Sequence, residues 1–197
     1  DGVARIAYLR LQNTNGNGTF DQTEGFVGDT SQVMYSRRRS DGTWTVPIGI
    51  SAADTDFKEN PVLVVVSTGV NLNLAFIFWR EVTGGVAQVH MARVNAGDPP
   101  AIQTADTVIS NAVPTAAGGA LPPGPSTGTV TPRSLGAAFD TVDGSIYAGW
   151  GQILNPGGDE CVIVARYPRG GAGVPTGVEF NQPDEKFALT FNDGVGG

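Results

Sequence analysis

The chain has 197 residues, a length typical of a single domain, and its formal net charge is −7. This acidic balance argues against a nucleic-acid partner, because phosphate binding needs clustered Lys and Arg. Only 16% of the residues are charged and 40% are hydrophobic, with 28 Gly and 13 Pro, which excludes global disorder and favours many short strands joined by tight turns.

The first predicted strands lie at 3–10 and 32–37, where apolar residues recur between polar ones. They correspond to the second and third strands of a unit that is repeated further along the chain. No counterpart of the first strand of that unit precedes them, so the N-terminal unit is expected to lack one strand.

The polar loop between these two strands fits the twelve-residue calcium pattern, with Gly at position six and Glu at position twelve. The candidate ligands are Asn13, Asn15, Asn17, Thr19, Asp21 and Glu24. Because only two of them are carboxylates, Ca²⁺ would bind weakly, on the order of 10⁻⁴–10⁻³ M, which suits an extracellular setting. The alternative is a polar Asn/Gly hairpin loop that holds no metal.

The strand at 32–37 leads into a turn with the sequence Ser40-Asp41-Gly42-Thr43-Trp44. Asp41 can accept hydrogen bonds from backbone N–H groups, and Gly42 can adopt a positive φ. Trp44 can fill the gap between neighbouring sheets. A fourth strand is expected to follow and to end at Ile50-Ser51.

The middle and the C-terminal part of the chain repeat each other. Pro61 and Pro132 are 71 residues apart (132 − 61), and so are Trp79 and Trp150 (150 − 79). Three strands followed by a more irregular fourth, repeated along the chain, are typical of β-propeller blades. The strands predicted in the two copies are 61–67, 73–80 and 86–94, then 133–139, 144–150 and 160–167.

The predicted fold class is therefore all-β, with four-stranded antiparallel β-propeller blades. The units are about 3–51, 60–110 and 131–182, with a Pro/Gly/Ala-rich loop insertion at 111–131 and the first strand of a further blade at 186–192. About three blades cannot close a ring, because known propellers have about four to eight. We expect another copy of the chain, or missing parts of a longer chain, to complete the ring.

Single residues that could carry chemistry favour a structural interpretation. The only histidine, His90, alternates with apolar residues, and no Gly-x-Ser-x-Gly motif accompanies it, so a catalytic triad is not expected. The only cysteine, Cys161, cannot form an intramolecular disulfide and begins a strand, where a small buried side chain is typical. Gly84-Gly85 predicts a hairpin turn.

The turn at 40–44 and the strand pattern over most of residues 3–192 resemble the Asp-box blades of sialidase-like β-propellers. In that family the turn has the form Ser-x-Asp-x-Gly-x-x-Trp, whereas here it is compressed and occurs once. The resemblance implies an arginine triad and a tyrosine nucleophile, but the Arg-Ile-Pro motif is absent, and Arg93 and Arg166 occupy equivalent positions. Equivalent positions favour a repeated structural role for these two arginines, and the tyrosines are strand residues that can equally belong to a core or lie between blades. The candidates are Arg5, Arg93, Arg133 and Arg166, and Tyr8, Tyr35, Tyr147 and Tyr167.

These features favour a non-catalytic, extracellular or cell-surface module that binds a glycan or a surface protein, or that takes part in a structural assembly. The alternative is a fragment of a sialidase-like glycoside hydrolase. Ca²⁺ is the candidate cofactor. No apolar run of about 18 residues is present, so no membrane-spanning segment is expected.

Overall fold

The computed structural model describes residues 3–14, 16, 29–67, 74–95, 97–110, 129–130, 134–142, 144–153, 160–167 and 185–190. The described residues form twelve β-strands and no helix. The strands are β1 (Arg5–Gln12), β2 (Thr30–Arg37), β3 (Ile48–Gly49), β4 (Phe57–Val65), β5 (Leu74–Thr83), β6 (Val86–Asn95), β7 (Ala101–Val108), β8 (Thr129–Val130), β9 (Gly136–Phe139), β10 (Ile146–Ile153), β11 (Glu160–Tyr167) and β12 (Glu185–Thr190).

The strands form three antiparallel sheets that follow one another along the chain. The first sheet has the order β1-β2-β3, and the second has the order β4-β5-β6-β7. In the third sheet the two short strands β8 and β9 pair with β10, β10 pairs with β11, and β11 pairs with β12. The all-β prediction is therefore confirmed, while the described strands do not close into a ring of sheets.

The two tryptophans that mark the repeat occupy the same place in neighbouring sheets. Trp79 lies on β5 opposite His90, and Trp150 lies on β10 opposite Ile163. Both indoles are buried, Trp79 against the first sheet and Trp150 against the second, so each packs on the sheet that precedes its own. The 71-residue offset predicts equivalent positions for these residues in neighbouring repeat units, and the structure places them on corresponding strands of neighbouring sheets.

A second repeated contact ends the first and the second sheet. In the pair Ile50-Ser51, Ser51 Oγ accepts a hydrogen bond from the backbone N–H of Val33 at 2.9 Å. In the pair Ile109-Ser110, Ser110 Oγ accepts one from the N–H of Val89 at 3.1 Å. In each pair the isoleucine N–H donates back to the carbonyl oxygen of the same valine, at 2.7 and 2.8 Å. The serine thus replaces a strand partner where the last strand has ended.

The first strand of the second sheet contains a β-bulge. Its pairing with β5 shifts register between Glu59 and Val62, and Asn60 adopts a φ of 50°. Pro61 has no N–H to donate, and a bulge on an edge strand is a position that can hold it. In the third sheet two short strands, β8 and β9, pair with β10 as β4 pairs with β5, and 131–133 between them lie outside the described residues.

The second sheet is buried on both faces, because neighbouring residues of β5 belong to different cores. Phe76 and Phe78 pack with residues of β10 and β11 in the third sheet. Ile77 and Trp79 pack with residues of β2 in the first sheet. This arrangement explains why β5 is an uninterrupted apolar run at its start rather than an alternating one.

The hairpin between β5 and β6 is the two-glycine turn that the sequence predicts. Gly84 and Gly85 have φ values of 58° and 81°. A two-residue turn with positive φ at both positions matches the twist of the flanking strands, and glycine adopts it without a Cβ penalty. This turn fixes the register that places Trp79 opposite His90.

The C-terminal strand differs from its prediction. The sequence predicts a first strand of a further blade at 186–192, whereas β12 pairs with β11 as the outer strand of the third sheet, with Phe187 opposite Val164. The apolar alternation predicts a strand but not its partner, which explains the difference. The third sheet also begins earlier than 131, because 129 and 130 form β8, while 111–128 lie outside the described residues.

Candidate functional site

Two charged doublets face each other across β4 and β5. In the antiparallel register Lys58 is opposite Glu81, and Glu59 is opposite Arg80. Successive side chains of a strand point to opposite faces, so each face of the sheet receives one cation and one anion. On one face, Arg80 Nη1 lies 3.0 Å from Glu59 Oε1, and the Arg80 side chain is 2% exposed.

On the other face, Lys58 is the centre of an ionic cluster that lies toward the first sheet. Its ammonium group lies 3.4 Å from Glu81 Oε1 and is in close contact with Asp54 Oδ1. The Lys58 side chain is fully buried, and that of Glu81 is 6% exposed. Buried charges are stable when they are paired, so each member of this cluster depends on the others.

The cluster connects the first two sheets, because Asp54 lies on the segment that crosses from β3 to β4. The N–H of Ser31 on β2 donates to the Asp54 carbonyl oxygen at 2.9 Å. Ser31 Oγ donates to the Asp56 carbonyl oxygen at 3.0 Å, and Thr83 Oγ1 donates to Asp56 Oδ2 at 2.9 Å. The crossover is therefore fixed to β2 on one side and to β5 on the other.

Glu81 also accepts a hydrogen bond from the indole of Trp79, with 2.7 Å between Nε1 and Oε2. The third sheet repeats this bond with a neutral acceptor, because Trp150 Nε1 donates to Gln152 Oε1 at 2.9 Å. Both acceptors lie two positions after their tryptophan and both are buried. An uncharged side chain is therefore sufficient to satisfy the indole.

The strand register identifies Lys58 as the partner of the negative charge on Glu81. Glu81 is opposite Lys58 in the second sheet, and its equivalent Gln152 is opposite Val130 in the third. The ion pair of one sheet thus corresponds to a neutral residue and an apolar residue in the next. The negative charge of Glu81 is matched to Lys58 rather than required by the fold of the sheet.

His90 lies beside this cluster on β6. Its Nδ1 lies 2.6 Å from Asp106 Oδ1 on β7 and 3.9 Å from Glu81 Oε2. Its ring lies 5.5 Å from the ring of Trp79, at 31° between the planes. His90 is 7% exposed, and its buried Nε2 has no hydrogen-bond partner in the described part of the chain. The structural interpretation of His90, as a packed or a surface residue, did not include this carboxylate partner.

The cluster brings acidic and imidazole groups close enough to hold a metal ion, within 4.8 Å of one another. The two groups are Glu81, His90 and Asp106, and Asp54, Asp56 and Glu81. Both need Glu81, whose oxygens already face the Lys58 ammonium group and the Trp79 N–H. Because the Lys58 ammonium group already lies between Asp54 and Glu81, the residues fit an ion-pair cluster better than a metal centre.

The predicted calcium loop is described in part. Asn13 Oδ1 accepts a hydrogen bond from the N–H of Gly16 at 2.8 Å, and Thr14 N–H donates to Asp29 Oδ1 at 2.9 Å. The first bond closes a local turn through the Asn13 side chain, and the second ties the start of the loop to the residue before β2. The other candidate ligands lie outside the described residues: Asn15, Asn17, Thr19, Asp21 and Glu24.

The turn after β2 has the hydrogen bonds that its sequence predicts. Asp41 Oδ1 accepts from the backbone N–H and the hydroxyl of Thr43, at 2.8 and 2.7 Å, and these bonds hold the pKa of Asp41 below its usual range. Gly42 has a φ of 88°. Trp44 does not fill a gap between sheets, because its side chain is 44% exposed, and Val46 beside it is 80% exposed.

The exposed turn is held to the second sheet as well as to its own strand. Arg38 and Trp44 form a backbone bridge, and Arg38 Nε donates to the Gly42 carbonyl oxygen at 3.1 Å. Arg39 Nε lies 2.9 Å from Asp98 Oδ2 in the connection between β6 and β7. The Trp44 indole therefore projects from a fixed backbone.

The four arginines that the sialidase resemblance supplies do not form one described group. Arg5 lies on β1 of the first sheet, opposite Arg37. Arg93 lies on β6 opposite Phe76, and Arg166 lies at the equivalent place on β11 opposite Tyr147. Their equivalence agrees with the register that the sequence predicts. Arg133 lies outside the described residues.

Two of the candidate tyrosines are buried. Burial raises the pKa of Tyr35, and the positive charges of Arg5 and Arg37 lower it in part. Burial also raises the pKa of Tyr167, whose ring packs 6.0 Å from Phe76 and 5.8 Å from Phe78. The Tyr167 hydroxyl is buried without a hydrogen-bond partner among the described residues. A raised pKa opposes the role of nucleophile.

Comparisons with protein-family models, with curated proteins and with solved structures find no match to this chain. Among the described residues there is no helix long and apolar enough to cross a membrane. The functional argument therefore depends on the residues and contacts of this chain alone.

Proposed function

We propose that this chain is a non-catalytic module of an extracellular or cell-surface β-propeller, which presents a rigid surface to a glycan or a protein partner or takes part in a structural assembly. Three antiparallel sheets in chain order, packed face to face through two cores, support the propeller arrangement. The equivalent placement of Trp79 and Trp150 supports a repeated blade, as does the irregular last strand of each of the first two sheets.

The observation that carries the proposal is the exposed, rigid turn around Trp44. A fixed and exposed aromatic ring is the typical anchor of a recognition surface, because it offers apolar area at little cost in conformational entropy. The apolar face of a sugar ring stacks on such a ring, and the neighbouring Arg38 and Asp41 offer hydrogen-bonding groups. The exposed side chain of Val46 extends the apolar area.

The ionic cluster supports a role in stability rather than catalysis. Glu81 and Lys58 are buried and satisfy each other, and the equivalent positions of the third sheet carry Gln152 and Val130. A catalytic carboxylate has to reach a substrate, whereas the side chains of Lys58 and Glu81 are 0% and 6% exposed. The cluster thus holds the sheets that carry the exposed turn.

Binding to a glycan array and to candidate surface proteins, with Trp44→Ala as the variant, tests this function. We expect the wild-type chain to bind a glycan or protein and Trp44→Ala to lose at least about tenfold in affinity, as a central aromatic anchor does. Val142→Ala is the matched control, because Val142 is 89% exposed and lies in another turn. Equal binding of wild type and Trp44→Ala would contradict the proposal.

The alternative is a fragment of a sialidase-like glycoside hydrolase, for which Tyr35 beside Arg5 and Arg37 is the candidate nucleophile, although its burial and raised pKa oppose that role. It predicts turnover of a fluorogenic sialoside by the chain and loss of turnover in Tyr35→Phe. Turnover by the wild type that Tyr35→Phe removes would replace the binding proposal. Glycan binding without turnover would support the binding module.

A further inference from the structure

The first sheet has an open outer edge at β1. In the other two sheets the strand that corresponds to β1 is paired on both sides, β5 with β4 and β6, and β10 with β11 and with β8 and β9. No described strand pairs with β1 on the side away from β2. The internal repeat thus indicates that the same position beside β1 is a place for a further strand.

The groups that this edge presents follow from the pairing of β1 with β2. The N–H of Arg38 donates to the carbonyl oxygen of Ala4, which makes residues 4 and 38 a hydrogen-bonded pair. Because hydrogen-bonded pairs alternate along an antiparallel ladder, the backbone N–H and C=O groups of Ala7, Leu9 and Leu11 point away from β2. They form a regular row of donors and acceptors without a bulge.

We propose that β1 pairs in antiparallel fashion with β1 of a second copy of this chain, around a two-fold axis at Tyr8. In this register Ala7 is opposite Leu9 of the other copy, and the backbone N–H and C=O groups of the two residues point toward each other. The two three-stranded sheets then form one continuous sheet across the dimer. This inference depends on the free edge of β1 and is independent of the Trp44 surface.

The side chains of β1 favour its own copy as the partner. Ile6 and Leu11 are 41% and 48% exposed, so the edge strand carries apolar area that an opposite strand would cover. The two-fold register at Tyr8 places Ile6 opposite Arg10, and Arg5 opposite Leu11. No like charges face each other, whereas a shift that centres the axis on Arg5 or Arg10 would bring that arginine opposite itself.

Solution mass and a proline variant test the pairing. We expect light scattering to give twice the chain mass for the wild type and the single chain mass for Ala7→Pro. Proline at position 7 removes an N–H that points away from β2, so the ladder within the sheet is retained and an edge strand tolerates it. Val142→Lys, a change at an exposed site in a different turn, is expected to remain dimeric.

Cysteine cross-linking tests the register, in a background in which Cys161 is changed to Ala. A residue on the axis faces its own copy, in a non-hydrogen-bonded pair with Cα atoms about 4.5 Å apart, which is close enough for a disulfide. We therefore expect Tyr8→Cys to form a covalent dimer on oxidation and Ile6→Cys not to form one. Mixing Ile6→Cys with Arg10→Cys is expected to give the covalent dimer.

Three results would overturn the proposal. A wild-type chain that stays monomeric over a wide concentration range excludes the dimer, including the case in which another segment of the same chain covers the edge. A dimer that persists in folded Ala7→Pro excludes β1 as the interface. If circular dichroism shows that Ala7→Pro fails to fold, the cysteine variants test the interface instead. A covalent dimer of Ile6→Cys, together with no covalent dimer of Tyr8→Cys, excludes the register.

Discussion

Glu81 and Gln152 hold equivalent positions in two neighbouring sheets. Each lies two residues after a buried tryptophan and accepts a hydrogen bond from the indole N–H of that tryptophan. One of them is charged and the other is neutral. The difference matches the residue opposite on the neighbouring strand: Lys58 is opposite Glu81, and Val130 is opposite Gln152. The chain thus contains its own comparison between an ionic and a neutral solution for the same position.

Lys58→Val is expected to destabilise the protein by about 3–5 kcal/mol, because it leaves Glu81 buried without its cation. The double variant Lys58→Val/Glu81→Gln copies the pair of the third sheet and is expected to recover a large part of this loss. Asp54 tolerates the change better than Glu81, because its side chain is 34% exposed and can be solvated. Free energies of unfolding from urea titration measure both effects.

The single variant Glu81→Gln is the control for this cycle, since it keeps an acceptor for Trp79 but leaves Lys58 with Asp54 alone. We expect it to be less stable than the double variant. If both single variants and the double variant lose stability additively, the two residues are not coupled and the ionic interpretation is wrong.

Removal of the indole N–H is expected to cost more at Trp79 than at Trp150. Trp79→Phe leaves a buried carboxylate without its donor, and hydrogen bonds to charged groups contribute about 1.5–3 kcal/mol. Trp150→Phe removes a bond to a neutral carboxamide, which contributes about 0.5–1.5 kcal/mol. The same ring volume is removed in both, and the charge on Glu81 is expected to make the loss of unfolding free energy larger at Trp79. Equal losses would show that the charge on Glu81 does not strengthen the bond.

Tyr167→Phe is expected to leave stability unchanged or to raise it by about 1 kcal/mol. The hydroxyl is buried without a partner among the described residues, so its removal ends a desolvation cost and leaves the packing of the ring on Phe76 and Phe78. Thermal and urea unfolding measure the change. A loss of more than about 1 kcal/mol would show that the hydroxyl has a partner.

Stability is expected to fall as pH rises above about 10, because burial raises the pKa of Tyr35 and Tyr167 above their ordinary value of 10.0. Above that pH the unfolded chain releases phenolic protons that the folded chain keeps, so unfolding is favoured. Below it both states are protonated and the two tyrosines contribute no pH dependence. Urea unfolding between pH 8 and pH 11 is expected to show a shallower decline in Tyr167→Phe than in the wild type. Identical slopes would contradict this assignment.

The loop at 13–24 is expected to bind Ca²⁺ in the millimolar to submillimolar range if its oxygen ligands close around the ion. Calorimetric titration measures this, and the paired change Asp21→Asn/Glu24→Gln removes both carboxylates while keeping side-chain size. Heat in the wild type that this variant abolishes supports the calcium site. No heat at millimolar Ca²⁺ assigns the loop as a polar hairpin.

The sequence was sufficient for the strands and for the repeat, because apolar runs bounded by Gly and Asn predict strands directly. The offset shared by Trp79 and Trp150 predicts equivalent positions, and the structure confirms them. It was insufficient for β12, since a short alternating strand fits the first or the last place in a sheet equally well. The pairing partner depends on a tertiary contact that no local pattern contains.

The ionic cluster escaped prediction, although a signal for it is present. Lys58-Glu59 and Arg80-Glu81 are charged doublets within strands that are otherwise apolar, and in an antiparallel register each cation faces an anion. This signal requires the register across the bulge at Asn60, which shifts the pairing. If the register after the bulge is continued without the shift, Glu59 is opposite Glu81, so the sequence alone does not pair the opposite charges.

Because β5 contributes to both cores, the order in which the chain leaves the ribosome matters for its folding. The first sheet emerges before the strands that cover it, so Val33 and Tyr35 have no core to enter until β5 and β6 follow. Synthesis runs from the N-terminal end, so these apolar strands stay exposed in the meantime, and exposed apolar surface and unpaired strand edges make a folding chain prone to aggregate. The close β5–β6 hairpin shortens that interval, since one tight turn supplies both covering strands in immediate succession.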